Sequence, residues 1–483
     1  MERNKKQTNV KIITLAIFVA TFMTAVEGTI VSTAMPTIIG SLEGIAIMNW
    51  VFSIYLLTNA IMTPIYGKLS DMIGRKPILI IGLIIFVIGS SLCGLSQSMT
   101  QLIFFRAIQG IGAGAIMPVT STIIADIYPL EKRAKIMGFN GAAWGVAGIF
   151  GPLLSWHWIF YINVPIGIIT IILVALFLHE DFSYERKAID YLGSLSLTGT
   201  LLFSLYGIQV IGDKGTFEVS TLIWFFFAIL SFIAFIYVEK RAVDPILPLS
   251  LFSNRTFVIQ NLVAALVSGF LIGVDVYIPM WMQGLKGLKA AMGGFAITPM
   301  SFTWVLGSFI AGQLMLKQPV KTILTSSLVI TSISALIIIQ LPLATPFYVF
   351  LLVTAIIGLG MGLAITTTTV TIQNIVPKNQ IGVATSVNTL FRILGQTIMI
   401  SIYGIILNKR MAEQLIIHQS KGVESKMMNE LINPLTAINL DPTLLPILRD
   451  ILYVGIHDVF FYGFITVLLA LIINQFDKKV RIY

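Results

Sequence analysis

The sequence predicts an all-α membrane protein of fourteen transmembrane helices, and three observations carry that prediction. Only 11% of the 483 residues are charged, against roughly 25% in a soluble domain. Hydrophobic residues make up 56% of the chain and mean hydropathy is +0.91, which excludes a disordered chain, because disorder needs low hydrophobicity and high charge. Apolar runs of spanning length also recur from end to end. At about 20 apolar residues per crossing, fourteen crossings occupy about 280 residues and leave room only for short loops.

Six runs, at about 12–38, 48–69, 78–97, 101–127, 136–154 and 157–178, form a first block. Two more follow at about 191–212 and 218–238, then a polar, Pro-containing connector at 239–256. A second block of six falls at about 256–283, 290–315, 321–341, 345–374, 382–408 and 456–475. The expected organisation is an N-terminal six-helix bundle in 1–187, two additional helices in 188–240 and a C-terminal six-helix bundle in 241–483. The first run is longer than the roughly 7 to 15 residues of a signal-peptide core, so it reads as a retained span. The sizeable loop at about 409–455 mixes apolar and polar residues and is expected to hold short helices on the outer membrane surface, either as a structural cap or as a regulatory or substrate-gating element.

A net charge of +9 raises the question of a nucleic-acid partner, and the placement of the charges answers it. With the N-terminus inside, 21 of the 31 Lys and Arg lie in inside segments, three in short outside loops, five in the 409–455 loop and two within spans. Cytoplasmic loops carry such an excess, so both termini are predicted to be cytoplasmic and the basic balance is mostly an orientation signal. The single cysteine, Cys93, lies in an apolar run and reads as a small buried hydrophobe.

Two ionisable residues stand inside the first block. Glu27 lies in AVEGTIVSTAMPTI; a carboxylate in a span is neutral or paired because burial disfavours its charged form, which suits it to carry a proton. Arg106, in LIFFRAIQGIGAGA of the fourth run, costs about 2.5 to 3.5 kcal/mol to place in a membrane and is a functional-site candidate on that ground. At 1.5 Å per residue Glu27 lies about 24 Å from Lys11, and Arg106 about 8 Å below the outer end of its run. In a hydrocarbon core of about 30 Å the two share a depth, and they are expected to be neighbours, with Arg106 favouring loss of the proton. Asp275, 20 residues past Arg255, occupies the corresponding place in the ninth run and fits an internal repeat. It is a candidate to bind a proton or attract a cationic substrate; the alternative is a solvated carboxylate at the outer interface. Arg392 lies near mid-depth of the thirteenth run and is a candidate to pair with an acid or anion.

Small residues mark where helices turn or approach. In GKLSDMIGRKP, 67–77, Gly67 and Gly74 permit a tight reversal between the second and third runs. Asp71 and Arg75, with Lys76, offer charges that pair with helix ends. In the fifth run Gly141, Gly145, Gly148 and Gly151 share one helix face and precede Pro152, so a neighbouring helix can approach closely and rock or slide. Gly110, Gly112 and Ala115 also fit a dinucleotide-binding fingerprint, but that needs a preceding strand and a soluble βαβ unit, and small residues in an apolar span serve helix packing. Trp50, Tyr55, Trp281, Met282 and Trp304 are candidates to line an adaptable apolar cavity for flat hydrophobic substrates, with packing or interface anchoring as the alternative for each. Asn59 and Gln109 are candidate polar contacts to that cavity.

GKLSDMIGRKP resembles the signature of the major facilitator superfamily, in which the Asp and Arg of this loop, here Asp71 and Arg75, latch the two halves together at the cytoplasmic side. Arg106, Gln109 and Gly110 resemble the Arg-x-x-Gln-Gly motif of its proton-coupled members. GIFGPLL resembles the antiporter motif, whose usual form continues Gly-Pro-x-x-Gly-Gly; here Pro152 is followed by Leu153, Leu154 and Ser155, and the second Gly pair is missing. SWHWIFYINVPIG (155–167) and AVEGTIVSTAMPTI, with Glu27 where Asp is usual, resemble the fourteen-span drug:proton antiporter subfamily, and Arg392 resembles a recurrent Arg of that subfamily. The resemblance implies the major facilitator fold, two six-helix bundles plus two extra helices. It also implies a plasma-membrane antiporter, bacterial and functional as a monomer, that exports hydrophobic, cationic or zwitterionic drugs in exchange for protons by alternating access. Protons serve as coupling ion, with no other cofactor and no metal. Alternatives are an exporter of an endogenous lipid, siderophore or metabolite, and a non-transporting membrane sensor. An enzyme is not expected: the sequence has no Gly-x-x-x-x-Gly-Lys-Ser/Thr phosphate loop, and its four His show no metal spacing.

Overall fold

The computed structural model describes residues 8–42, 48–129, 132–133, 136, 156–180, 190–214, 219–242, 245–432 and 437–479, and among these all regular structure is helical. The chain opens with α1 (Val10–Leu42), α2 (Met48–Ile73), α3 (Arg75–Gly94) and α4 (Met99–Ile127). The sixth predicted run is covered by α5 (Trp156–Tyr161) and α6 (Asn163–Phe177), followed by the pair α7 (Tyr191–Lys214) and α8 (Val219–Glu239). The rest comprises α9 (Arg255–Met280), α10 (Ala290–Met315), α11 (Val320–Ile339), α12 (Phe347–Asn374), α13 (Ile381–His418), the short α14 (Ser425–Ile432) and α15 (Leu445–Gln475). Eleven helical segments among the described residues are long and apolar enough to cross a membrane. All but the first residue of the fifth predicted run, including Gly148, Gly151 and Pro152, lies outside the described residues.

Local chemistry sets the helix ends. Ser98 caps α4 by accepting from Gln101 N, and Asn254 caps α9 by accepting from Thr256 N at 3.0 Å and Phe257 N at 3.4 Å, each satisfying a donor that the first turn leaves orphaned. Between α2 and α3 the reversal takes a single residue, Gly74 at φ 101°, a left-handed conformation open to glycine without steric cost. Pro279 withdraws a backbone donor near the end of α9, and the chain widens into a π turn over Trp281–Leu285.

Lipid removes most of the hydrophobic drive between helices, so close packing holds them together. One core joins α1, α3, α4 and α6 through Ile17, Met23, Phe86, Ile116 and Val174. Another joins α9, α11, α12, α13 and α15 through Phe270, Leu328, Phe350, Tyr403 and Phe460. Between α10 and α12 the backbones nearly touch: a Cβ on Gly358 would strike the Met300 carbonyl, and one on Gly362 the Trp304 carbonyl. A third core, with Leu57, Leu201, Phe257 and Val387, seats α7 where α2, α9 and α13 meet.

The long loop is shorter than expected. Helix α13 continues to His418, ten residues past the predicted end of its run, and α15 already begins at Leu445. Hydropathy falls where lipid ends, but backbone hydrogen bonds carry a helix into water, and here Arg410 supports the extension by pairing with Glu413 at 3.0 Å and Asp458 at 2.8 Å. The intervening α14 docks on the second core with Met428 and Leu431 buried.

Candidate functional site

Glu27 of α1 and Arg106 of α4 meet in the first half of the chain, both fully buried, with Arg106 Nη1 donating to Glu27 Oε2 at 2.5 Å. The other carboxylate oxygen, Oε1, accepts from Asn163 Nδ2 at 2.7 Å and lies 3.5 Å from the Ser90 hydroxyl. Arg106 also donates to Gln109 Oε1 at 2.9 Å and, through Nε, to the Val51 carbonyl at 3.2 Å. Its guanidinium lies 4.1 Å from the centroid of the Tyr55 ring, a cation–π contact that gains strength away from water. Both charges are thus paired and hydrogen-bonded, the condition under which a buried ion pair persists.

A second cluster surrounds the turn from α2 to α3. The Asp71 carboxylate accepts from Val383 N at 2.8 Å and Gly382 N at 3.2 Å, in the first turn of α13, where the helix dipole favours a negative charge. Arg75 ion-pairs with Asp71 at 3.1 Å and Asp126 at 2.9 Å. Gly67 sits against α13, where a Cβ would collide with the Ser386 side chain. Close by, Gln373 Nε2 of α12 donates to the Ser121 carbonyl of α4 at 3.3 Å and to Thr385 Oγ1 at 3.4 Å. The two halves are therefore closed against each other at this end.

Glu180, just past α6, accepts from the backbone N–H groups of Arg75 at 3.0 Å and Lys76 at 3.1 Å. Burial pushes its carboxyl above the ordinary range, against those two hydrogen bonds, which lower it. Lys76 in turn donates to the carbonyls of Ala175 at 2.6 Å and Leu178 at 2.8 Å.

Asp275 and Arg392 do not meet. Each is half-buried and has no hydrogen-bond or ion-pair partner among the described residues; Arg392 Nε is buried and unpartnered. Helices α9 and α13 run parallel, with Gly269 against Met399 and Gly273 against Tyr403. That register sets Asp275 about 13 residues above Arg392, roughly 20 Å at 1.5 Å per residue.

The cavity candidates divide. Trp281 and Met282 are buried within the second core, Trp281 edge-on to Phe350 at 5.3 Å and Tyr453 at 5.4 Å, so of the two readings open for them, cavity lining and packing, the structure shows packing. Trp50 is half-buried and packs on Tyr206 of α7 at 5.5 Å, anchoring the additional helices. Tyr55 and Gln109 are occupied by Arg106. The Asn59 side chain accepts from Thr63 on its own helix at 3.2 Å. Trp304 is half-buried and packs against the second core.

Sequence reasoning missed Ser90, Asn163, Asp126, Glu180 and Gln373. Only Asn163 carried a usable signal, an amide in the largely apolar stretch IFYINVPIG at 159–167, where lipid would leave it unsatisfied.

An all-helical polytopic membrane protein closed across two halves by a charged turn, with an ion pair buried in one of them, has the build of a secondary transporter. A family model described as Major Facilitator Superfamily matches residues 17–399, and the chain belongs to that superfamily. It is 33% identical to the multidrug transporter protein MdtP of Bacillus subtilis (strain 168), with 100% of this chain and 95% of that protein aligned. It is 35% identical to multidrug resistance protein 3 of the same organism over 83% of this chain and 80% of that protein. The multidrug efflux pump SdrM of Staphylococcus aureus (strain N315) is 33% identical over 70% of this chain and 77% of that protein. Among solved structures the fold resembles the human organic anion transporter MFSD10 (TETRAN), with TM-score 0.67 and 12% identity over 97% of this chain and 100% of that one. It also resembles an inward-facing bacterial homologue of the human lysosomal transporter Spinster, with TM-score 0.59 and 15% identity over 96% of this chain and 95% of that one.

Proposed function

We propose that this chain is a proton-coupled antiporter that exports hydrophobic, cationic or zwitterionic drugs across the bacterial plasma membrane by alternating access. The multidrug transporters it resembles support drug export, and the observation that carries proton coupling is the buried Glu27–Arg106 pair. On this reading the chain crosses the membrane fourteen times with both termini cytoplasmic and acts as a monomer. Residues 1–187 and 241–483 form the two six-helix bundles, and 188–240 the additional pair.

With Arg106 against it, Glu27 keeps its charge. A proton arriving from outside binds Glu27 Oε2 in place of the Arg106 contact, and Arg106 retains its bonds to Gln109 and the Val51 carbonyl. Loss of that contact frees α1 and α4 to shift; the Asp71 latch on α13 releases, and the cavity opens to the cytoplasm. There the drug enters, and the returning Arg106 expels the proton. Asp275, unpaired in the second half, serves as a second proton site or attracts the cationic part of a drug.

The test is transport into proteoliposomes under an imposed pH gradient with a panel of lipophilic cations. Wild type is expected to couple drug flux to proton flux, and Glu27→Gln to lose the coupling. Undiminished coupling in Glu27→Gln would overturn the assignment.

A further inference from the structure

Away from both charged clusters, a groove of about 450 Å³ opens between α10 and α12. From α10 come Met292, Phe295, Pro299 and Phe302, and from α12 Phe347 and Leu351. The α10 residues recur at intervals of three and four, so they lie on one face of the helix. Phe295 is 49% and Phe302 60% exposed, which makes the groove open to whatever surrounds the transmembrane helices rather than a sealed core. Among the described residues no carboxylate lines it, and the only polar side chains that do are Thr298 and Thr303.

Positive charge stands at the N-terminal end of α10, where the groove begins. Lys289 is the N-cap residue of α10, three residues before Met292, and Lys286 lies three residues earlier in the non-helical connector that leads into the helix. Neither ammonium has an ion-pair partner among the described residues. From Lys289 to Phe302 is about 20 Å along the helix, enough to cover one leaflet of a hydrocarbon core about 30 Å thick. A lipid-facing apolar trough with unpaired cations at its mouth repels a lipophilic cation and fits an amphiphile with an anionic head.

We propose that the α10–α12 groove binds an acyl chain of an anionic phospholipid whose phosphate is held by Lys289 and Lys286. The groove shares no residue with the Glu27–Arg106 pair or the Asp71 cluster, and the lipid fills a trough between two helices whose backbones are in close contact lower down. Which leaflet supplies the lipid, the outer one, rests on the orientation proposed above; the binding itself does not.

The test measures lipid carried by the intact, full-length protein. Protein is extracted from vesicles of equal phosphatidylglycerol and phosphatidylcholine, and the lipid retained is counted by native mass spectrometry. Phosphatidylglycerol is expected to be retained preferentially. Each lysine near an anionic head contributes about fivefold, so Lys286→Gln with Lys289→Gln is expected to reduce the preference by up to about 25-fold. Thr298→Trp, which fills the groove, is expected to remove the retained lipid of both kinds. An unchanged preference in the double lysine variant overturns the proposal, and so does displacement of the lipid by a lipophilic cation with equal potency in wild type and double variant, which would give the groove to the drug. Labelling of Lys289→Cys by a membrane-impermeant maleimide on intact cells reads the orientation separately, so a wrong leaflet and an absent lipid site give different results.

Discussion

In the first half of the chain an acid and a base sit at one depth and satisfy each other, with Asn163, Gln109, Tyr55 and the Val51 carbonyl completing the shell. In the second half Asp275 and Arg392 stand roughly 20 Å apart along α9 and α13, and neither has a partner among the described residues. Asp275 stands in the first helix of its block, as Glu27 does, but Arg392 lies in the fifth helix of its block where Arg106 lies in the fourth, and among the described residues only the first half has closed these charges into a network. A buried network is costly to break because each member leaves another unpaired; a lone half-buried carboxylate with no partner leaves nothing unpaired when it is neutralised. The first half therefore holds its acid in a fixed, fully partnered position, whereas the acid of the second half is free of partners among the described residues.

The sharpest way to break that contrast is to delete the two acids in parallel. Glu27→Ala leaves Arg106 buried without its counter-charge and is expected to cost about 3 to 5 kcal/mol. Asp275→Ala removes a group with no partner and is expected to change stability by less than about 1 kcal/mol. Reversible denaturant unfolding in detergent micelles compares them. Equal losses would mean that Asp275 is as tightly integrated as Glu27, and the contrast would fall.

An intermediate effect is expected at the turn between α2 and α3. Asp71→Asn keeps a hydrogen-bond acceptor for Val383 N and Gly382 N but removes the charge that faces the α13 dipole and the Arg75 guanidinium. Such a contact is worth up to about 2 kcal/mol when partly buried. Opening at this end is therefore expected to increase up to about 30-fold, read as the maleimide labelling rate of Ser121→Cys; the native Cys93 is buried. The counterpart acid Asp477, which accepts from Thr256 at 2.8 Å and Gln260 at 2.9 Å within its own half, is expected to leave the labelling rate unchanged when replaced by Asn. A rise in Asp477→Asn would show that the latch is shared between the halves.

How much of this was legible in the sequence depends on whether depth or azimuth decides. Depth follows from counting residues along spans, which is why Glu27 and Arg106 were expected together. Azimuth is hidden in helices that are apolar on every side, so nothing in the hydropathy pattern turned Ser90 of α3 or Asn163 of α6 toward Glu27. The same blindness left Trp281 and Met282 undecided between cavity and core, because an apolar side chain fits both equally well. Asp71 and Arg75 were legible as latch candidates, but their partner was not: Val383 and Gly382 contribute backbone N–H groups, which any residue except proline carries. The overlong α13 escaped because apolar composition marks the width of the membrane and not the length of the helix.

The smallest effects test whether the halves share a scaffold beneath their different chemistry. Lys76 at the start of α3 donates to the Ala175 and Leu178 carbonyls at the end of α6, and Lys321 at the start of α11 donates to the Gln475 and Asp477 carbonyls at the end of α15. In each half, then, the first turn of one helix caps the last carbonyls of another, a favourable site for a cation. Lys76→Met and Lys321→Met are each expected to cost about 1 kcal/mol in denaturant unfolding, since in both cases other contacts remain, Glu180 to the N–H groups of Arg75 and Lys76 and Asn474 to the Lys321 carbonyl. They are expected to part at the gate: Lys76→Met loosens the helix start that carries Arg75 and raises Ser121→Cys labelling a few-fold, whereas Lys321→Met does not. If both raised it equally, the gate would be set by global stability; if neither did, the capping lysine would be scaffold alone, and the latch would rest on Asp71 and Gln373.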